Sequence, residues 1–361
     1  MITAVVMIGD GGDIESPVGW VNSARRAAAR DLILQLTCLD RITQIIVVSP
    51  EQGDLALGIP VEYIASPSGP IHVGRTLADI VNQFKVQHLL YFGGGAAPLL
   101  EDEELEEIVN FMASAGEGIY TNNQFASDWA GIVPASILPL WLERLPQDNM
   151  LGWVLSAEAG LPLRASAPSA ASRLDIDTPA DLLTLRLHPA TKNCLRQFLL
   201  SLPLDTGRLE AILAVLATPA SQVLIAGRLG PDPWQALNRV TRCWLRVVSE
   251  ERGMVSSGRL AHGAVYSILA DHIQIIGIRK FVDKLAEQVQ AAIIDSRVLM
   301  AHHGRWPPES DRFASDLGLV NRIKDPWLQE FTKVIEKANI PILLGGHGLL
   351  SGDLFAFCDL L

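Results

Sequence analysis

Apolar residues arrive in short runs separated by polar, helix-spaced stretches. Residues 2–8 form an apolar run ending in glycines, which predicts a first strand. Residues 23–39 place apolar side chains at helical spacing, and 44–48 is a β-branched run closed by Ser49 and Pro50. A second cycle follows, with 76–84 reading as helix and 88–92 as strand. Residues 102–112 read as a helix whose Leu105, Ile108, Val109 and Met112 share one face, while Glu103, Glu104, Glu106 and Glu107 form a solvated acidic face. This alternation predicts a mostly parallel sheet covered by helices, with ligand chemistry at the carboxyl ends of the strands.

After a Pro, Ala and Ser-rich stretch at 162–172, the segment 173–187 leads to His188 and Pro189, which close a first domain of residues 1–190. A helical connector is expected over 191–220, helical to about residue 216, and a second, smaller α/β domain over 221–361. In that domain 222–226, 273–278, 291–300 and 340–344 read as strands, and 233–248 and 327–338 as helices. No internal repeat of fixed period occurs.

Composition narrows the class. The chain has 361 residues, 49% hydrophobic and 19% charged, which suits a folded core rather than disorder. A net charge of −11 opposes nonspecific nucleic-acid binding, so no nucleic-acid partner is expected. Cys38, Cys194, Cys243 and Cys358 are far apart and form no C-x-x-C pair, which points to free buried thiols in a reducing cytoplasm. The first apolar run lacks a basic region before it and reads as a strand rather than a signal peptide. The uncharged stretch 211–227 is broken by Thr218, Pro219, Ser221 and Gln222, so no membrane span is expected.

Gly9, Asp10, Gly11 and Gly12 sit where the first strand turns toward a helix, and a glycine-rich turn there leaves backbone N–H groups to face a phosphate. Neither G-x-x-x-x-G-K-S/T nor G-x-G-x-x-G is present, so the Walker and dinucleotide fingerprints do not apply. Arg25, Arg26 and Arg30 follow on the first helix, where they either reach a triphosphate or form a solvated face. Asn122 and Asn123 follow a short apolar run and either read a base or make an ordinary turn. Asp175 and Asp177 alternate on an extended segment, so their side chains face the same way. Thr178, Pro179 and Asp181 fit the cap, first-turn proline and acidic third position of a helix over 180–187.

In the second half, Gly227, Arg228, Leu229 and Gly230 precede a helix start where an anion could bind. Asp295, Arg297, His302 and His303 lie along or just after a strand, and Gly345, Gly346, His347 and Gly348 follow another, trailed by Ser351 and Asp353. Adjacent histidines on extended backbone point opposite ways, so at most one of His302 and His303 joins any site. Neither an H-E-x-x-H zinc motif nor a G-x-S-x-G elbow occurs.

The order of three segments carries a family resemblance. The glycine turn is followed by Tyr91-Phe92-Gly93-Gly94-Gly95-Ala96-Ala97-Pro98-Leu99-Leu100, and later by Leu174-Asp175-Ile176-Asp177-Thr178-Pro179-Ala180-Asp181-Leu182. Over about half the chain this resembles the nucleotidyltransferase (GT-A-like) superfamily that includes the molybdenum-cofactor and phospholactate guanylyltransferases. The resemblance implies a Rossmann-like three-layer first domain. It implies phosphates near Gly9, Gly11 and Gly12 and further polar contacts from the late segment; Arg25, Asn122 and Asn123 are candidates for contacting the nucleotide, and Asp175 and Asp177 for a replacement Mg²⁺ or Mn²⁺ site. The implied substrates are an NTP or sugar nucleotide and a small phosphorylated or hydroxylated acceptor. Two departures stand out. Gly95, Ala96 and Ala97 occupy the place of the family's metal-binding aspartate, and 14–22 contains no Lys or Arg. Two other readings therefore remain: a catalytically silent nucleotide or sugar-nucleotide binder with a regulatory or scaffolding role, and a glycosyltransferase, since Asp175-Ile176-Asp177 spells D-x-D.

Overall fold

The computed structural model describes residues 1–9, 11–50, 55, 58–67, 69 and 71–361. They divide into two compact units. One comprises Met1–Gly11, Asn22–Asp175 and Thr191–Phe198; the other comprises Gly12–Val21, Ile176–Ala190 and Leu199–Leu361.

The first unit is built on a seven-stranded sheet. Its strands are β1 (Ile2–Met7), β2 (Ile42–Ser49), β3 (Glu62–Ala65), β4 (His88–Phe92), β5 (Gly118–Thr121), β6 (Trp129–Val133) and β7 (Leu163–Ala165), in the order β3-β2-β1-β4-β6-β5-β7. β6 runs antiparallel to both of its neighbours and the other pairings are parallel. The period-2 alternation of β1 explains why both faces are covered. Ile2, Ala4 and Val6 enter one core with Leu32, Ile33 and Leu36 of helix α1 (Pro17–Thr37) and Leu105, Ile108, Val109 and Met112 of helix α3 (Asp102–Ser114). Val5 and Met7 enter the opposite core with Leu77, Ile80 and Val81 of helix α2 (Val73–Phe84). The chain runs from β1 outward to β2 and β3, then crosses back to β4, so the β1/β4 boundary is a topological switch point.

The second unit carries a fully parallel four-stranded sheet, β8 (Gln222–Gly227), β9 (Trp244–Ser249), β10 (Ala291–Asp295) and β11 (Ile342–Gly345), in the order β11-β10-β8-β9. Its switch point is the β8/β10 boundary, because the chain leaves β8 for β9 and returns to the other side of β8 as β10. Leu224, Ala226, Ala292, Ile294, Ile342 and Leu344 form one core face with helices that include Phe281, Leu285, Leu328 and Phe331.

Three expectations for this half need correction. The stretch 233–248 is a helix only to Val240, after which Trp244–Ser249 is the edge strand β9. Residues 273–278 are not a strand: Ile268–Ile276 and Ile278–Gln288 are helices joined at Gly277, whose φ of +84° stops the first. The strand expected over 291–300 ends at Asp295, whose side chain accepts the Arg297 N–H and caps the helix Ser296–His302. The cysteines are free thiols, but Cys38 is exposed and only Cys243 is buried. Among the described residues no helix is long and apolar enough to cross a membrane.

Candidate functional site

At the β1/β4 switch point two glycine loops meet. Gly9 and Gly11 follow β1, Gly12 opens the segment counted with the second unit, and Asp10 lies outside the described residues. From α1, Ser23 Oγ donates to Gly11 O at 3.4 Å and Arg26 Nη1 donates to Gly9 O at 3.2 Å, so α1 is tied to the turn through the turn's carbonyls. After β4, Gly93 N donates to Asp128 O at 2.9 Å and Ala96 N to Gly93 O at 3.2 Å, making a tight turn. Gly94 is there because nothing larger fits: a Cβ would lie 2.6 Å from Met7 O and 3.1 Å from Ile8 Cα. Gly95 has a φ of +97°, and a Cβ would lie 2.7 Å from Arg25 Cγ and 3.4 Å from Asp175 Oδ1. Ala96 pairs with Asp175 in an isolated antiparallel bridge. The structure thus brings Gly95, Arg25 and Asp175 together, and Gly9, Gly11 and Arg26 together.

Behind this loop lies a buried polar network. Tyr91 Oη donates to Asp148 Oδ2 at 2.9 Å. Burial, then the charges of Asp148, Asp128 and Asp175, push the Tyr91 phenol well above its ordinary range, so it stays a neutral donor. Asn122 is buried and its amide is committed locally: Nδ2 donates to Asp128 Oδ2 at 2.7 Å and to Ser172 O at 3.2 Å, and Oδ1 accepts from Asp128 N at 2.9 Å. Asn123 Oδ1 accepts from Phe125 N at 3.1 Å in a local turn. Asp148, which the sequence reading did not single out, is a member of this network.

The segment around Asp175 is shared between units. Asp175 belongs to the first and the exposed Asp177 to the second. Asp181 Oδ2 accepts from Asp177 N at 2.7 Å and Thr178 N at 2.5 Å, one half of the expected capping box. The reciprocal half is loose, because Thr178 Oγ1 faces the helix start but makes no hydrogen bond of good geometry. Asp181 is fully buried beside Asp353; burial, then the neighbouring carboxylate, raises its pKa well above the usual range, and burial raises Asp353 to about 6. The pair therefore keeps a proton near neutral pH.

At the end of the second sheet, Arg228 makes a two-point ion pair with buried Asp295, Nε to Oδ2 at 2.5 Å and Nη2 to Oδ1 at 3.2 Å. Burial alone would raise the Asp295 pKa, but Arg228, Arg297 and His347 outweigh it and hold the carboxyl below its ordinary value. Arg297 is spent on Asp316 in a second buried two-point pair. His302 and His303 sit at a helix end rather than on extended backbone, with rings 5.1 Å apart, and His302 Nδ1 accepts from Ser267 N at 3.0 Å. Among the described residues no group of three or more His, Cys, Asp or Glu side chains is arranged to hold a metal. Mg²⁺ needs no such group, since it is often held by one or two carboxylates together with substrate phosphates.

Solved structures similar to about half of this chain include nucleotidyl and cytidylyl transferases. One is a cytidylyltransferase from Leptospira borgpetersenii, 16% identical with a TM-score of 0.40, covering 54% of this chain and 91% of its own. A nucleotidyl transferase from Methanothermobacter thermautotroptrophicus is 17% identical with a TM-score of 0.39, covering 56% and 99%. A 4-diphosphocytidyl-2C-methyl-D-erythritol synthase from Anaerococcus prevotii is 11% identical with a TM-score of 0.33, covering 46% and 86%. No family model matches the chain, and no curated protein matches it.

Proposed function

We propose that the first unit binds a nucleoside triphosphate at the β1/β4 switch point and transfers its nucleotidyl group to an oxygen of a small phosphorylated or hydroxylated acceptor. The observation that carries this reading is the close approach of Gly94 to Met7 and Ile8, with Arg25 and Arg26 of α1 beside the same loops. Bare backbone and two guanidinium groups suit a polyphosphate, which needs N–H donors and positive charge at short range. In the step, the acceptor oxygen bonds to the α-phosphorus and the bond to the bridging oxygen breaks. Pyrophosphate leaves with that electron pair, and the acceptor proton passes to solvent or a nearby carboxylate. Arg25 and Arg26 would offset the charge that develops, and alignment by the glycine loops supplies the remainder. Asp175 is the carboxylate of this unit that would hold Mg²⁺ or Mn²⁺, which supplies further charge neutralisation when bound.

The test is thermal stability and pyrophosphate release by the full chain with each NTP, with and without Mg²⁺ or Mn²⁺. Binding at about one hundred times Kd should raise stability by about 2.7 kcal/mol. Arg25→Gln with Arg26→Gln should abolish the shift, and Asp175→Asn should remove its metal dependence. Absence of any nucleotide shift would overturn the reading. A shift that ignores metal and releases no pyrophosphate would establish the silent binder instead, the reading favoured by the carboxylate-free Gly95-Ala96-Ala97.

A further inference from the structure

We propose that the carboxyl end of the second sheet, at the β8/β10 switch point, binds a phosphomonoester bearing a planar, largely apolar group. In an open parallel sheet, the loops at such a boundary diverge and leave a crevice for a ligand. Here the Arg228–Asp295 pair joins the two loops. It uses Nε and Nη2 of the guanidinium and leaves Nη1 as a donor already fixed in place, held by a carboxylate that is 1% exposed. Gly227, with a φ of +129°, permits this, since a Cβ would lie 2.4 Å from Asp295 Cβ.

Arg252 supplies a second guanidinium, its Nη2 3.8 Å from where a Gly230 Cβ would sit. His347 stands at the mouth of the Gly345–Gly348 turn, exposed to solvent, and senses the charges of Arg228, Asp295, Asp177 and Arg252. The helix start beside this loop is not the anion receptor. Pro231 and Pro233 lack N–H groups and Asp232 places a carboxylate there, so recognition falls to the arginines.

Next to Gly230 opens a hollow of about 450 Å³ lined by Leu229, Pro231, Trp234, Val247 and Arg252. Its walls are mainly apolar and its volume suits a single ring system. Trp234, 38% exposed, lines it and supplies an aromatic ring. Arg252 lines this apolar hollow and Arg228 directly precedes its wall residue Leu229, which matches an anion at one end of the ligand and a flat apolar body at the other.

The inference is independent of the nucleotide site in the first unit, and the test separates the two. Phenyl phosphate, inorganic phosphate and phenol are titrated calorimetrically into the full chain. Phenyl phosphate should bind one site at least about tenfold more tightly than phosphate, and phenol should not bind detectably. Arg252→Gln should weaken both anions about tenfold or more. Trp234→Ala should erase the preference for phenyl phosphate and leave phosphate unchanged. Arg246→Gln on the edge strand β9 should leave both affinities unchanged, and Arg25→Gln in the first unit should leave the phenyl phosphate affinity unchanged. Absence of phenyl phosphate binding, affinity unmoved by Arg252→Gln, or binding lost in Arg25→Gln would each overturn the proposal. Circular dichroism of each variant confirms that it is folded.

Discussion

The two sheets use the same topological device and finish it with opposite materials. At the β1/β4 boundary the loops are glycine, so close that Gly94 has no room for a side chain, and the positive charge sits on α1, partly exposed. At the β8/β10 boundary the loops are locked by buried ion pairs, Arg228 with Asp295 and Arg297 with Asp316. Backbone N–H groups conform to a chain of phosphates, whereas a guanidinium fixed by its own carboxylate recognises one anion in one orientation. Each end of the comparison can be stressed separately.

The largest effect is expected from breaking a locked pair. Arg297→Met leaves Asp316 buried without its partner and should cost about 3–5 kcal/mol, measured by urea unfolding. Arg25→Gln at the glycine loops should stay within about 0.5 kcal/mol. Equal losses would erase the distinction between a locked and an open end.

A slightly smaller effect concerns the Asp181–Asp353 pair of the second unit. An acid whose pKa is raised in the folded state binds more protons there than in the unfolded chain, so its contribution is fully present below the unfolded pKa and is lost as pH rises through the folded one. With Asp353 raised from 3.8 to about 6, stability should fall by on the order of 3 kcal/mol between pH 4 and pH 7 relative to Asp353→Asn. A variant whose stability tracks the parent across that range would mean that the pair does not share a proton.

The smallest effect tests the glycine end. Gly94→Ala should cost about 1–3 kcal/mol, because the atoms it meets are backbone and cannot swing aside. Gly9→Ala should cost far less, since nothing lies within 4 Å of the new methyl group. If the two variants unfold alike, the close approach of the loops is not a constraint.

Much of the fold was readable because its signals are local. β1 and β4 announce themselves as short apolar runs, and the apolar face of α3 follows from its spacing. The errors in the second half came from local signals that conflict. Isoleucines at 273, 275, 276 and 278 read as a β-branched strand, yet Gly277 divides two helices there. Asp295 is the last residue of β10 and also caps the next helix, so the apolar run after it looked like more strand. β9 was absorbed into a helix because Trp244 and Leu245 continue its apolar pattern. The glycine turns and Asp175 were visible in the site, but not what they touch. Gly94 meets Met7 and Ile8, and Tyr91 meets Asp148, across long sequence separations that no spacing rule spans.

The way the chain is shared between units sets a timetable for its synthesis. Residues 12–21 are counted with a unit whose main body, 199–361, is translated long afterwards. On a ribosome that adds about 5–20 residues each second, the amino-terminal segment waits for its companions while the first sheet is already able to assemble. The interval leaves Trp20, buried in the folded chain, in a nascent segment whose later companions do not yet exist, a window in which a holding chaperone would find its grip.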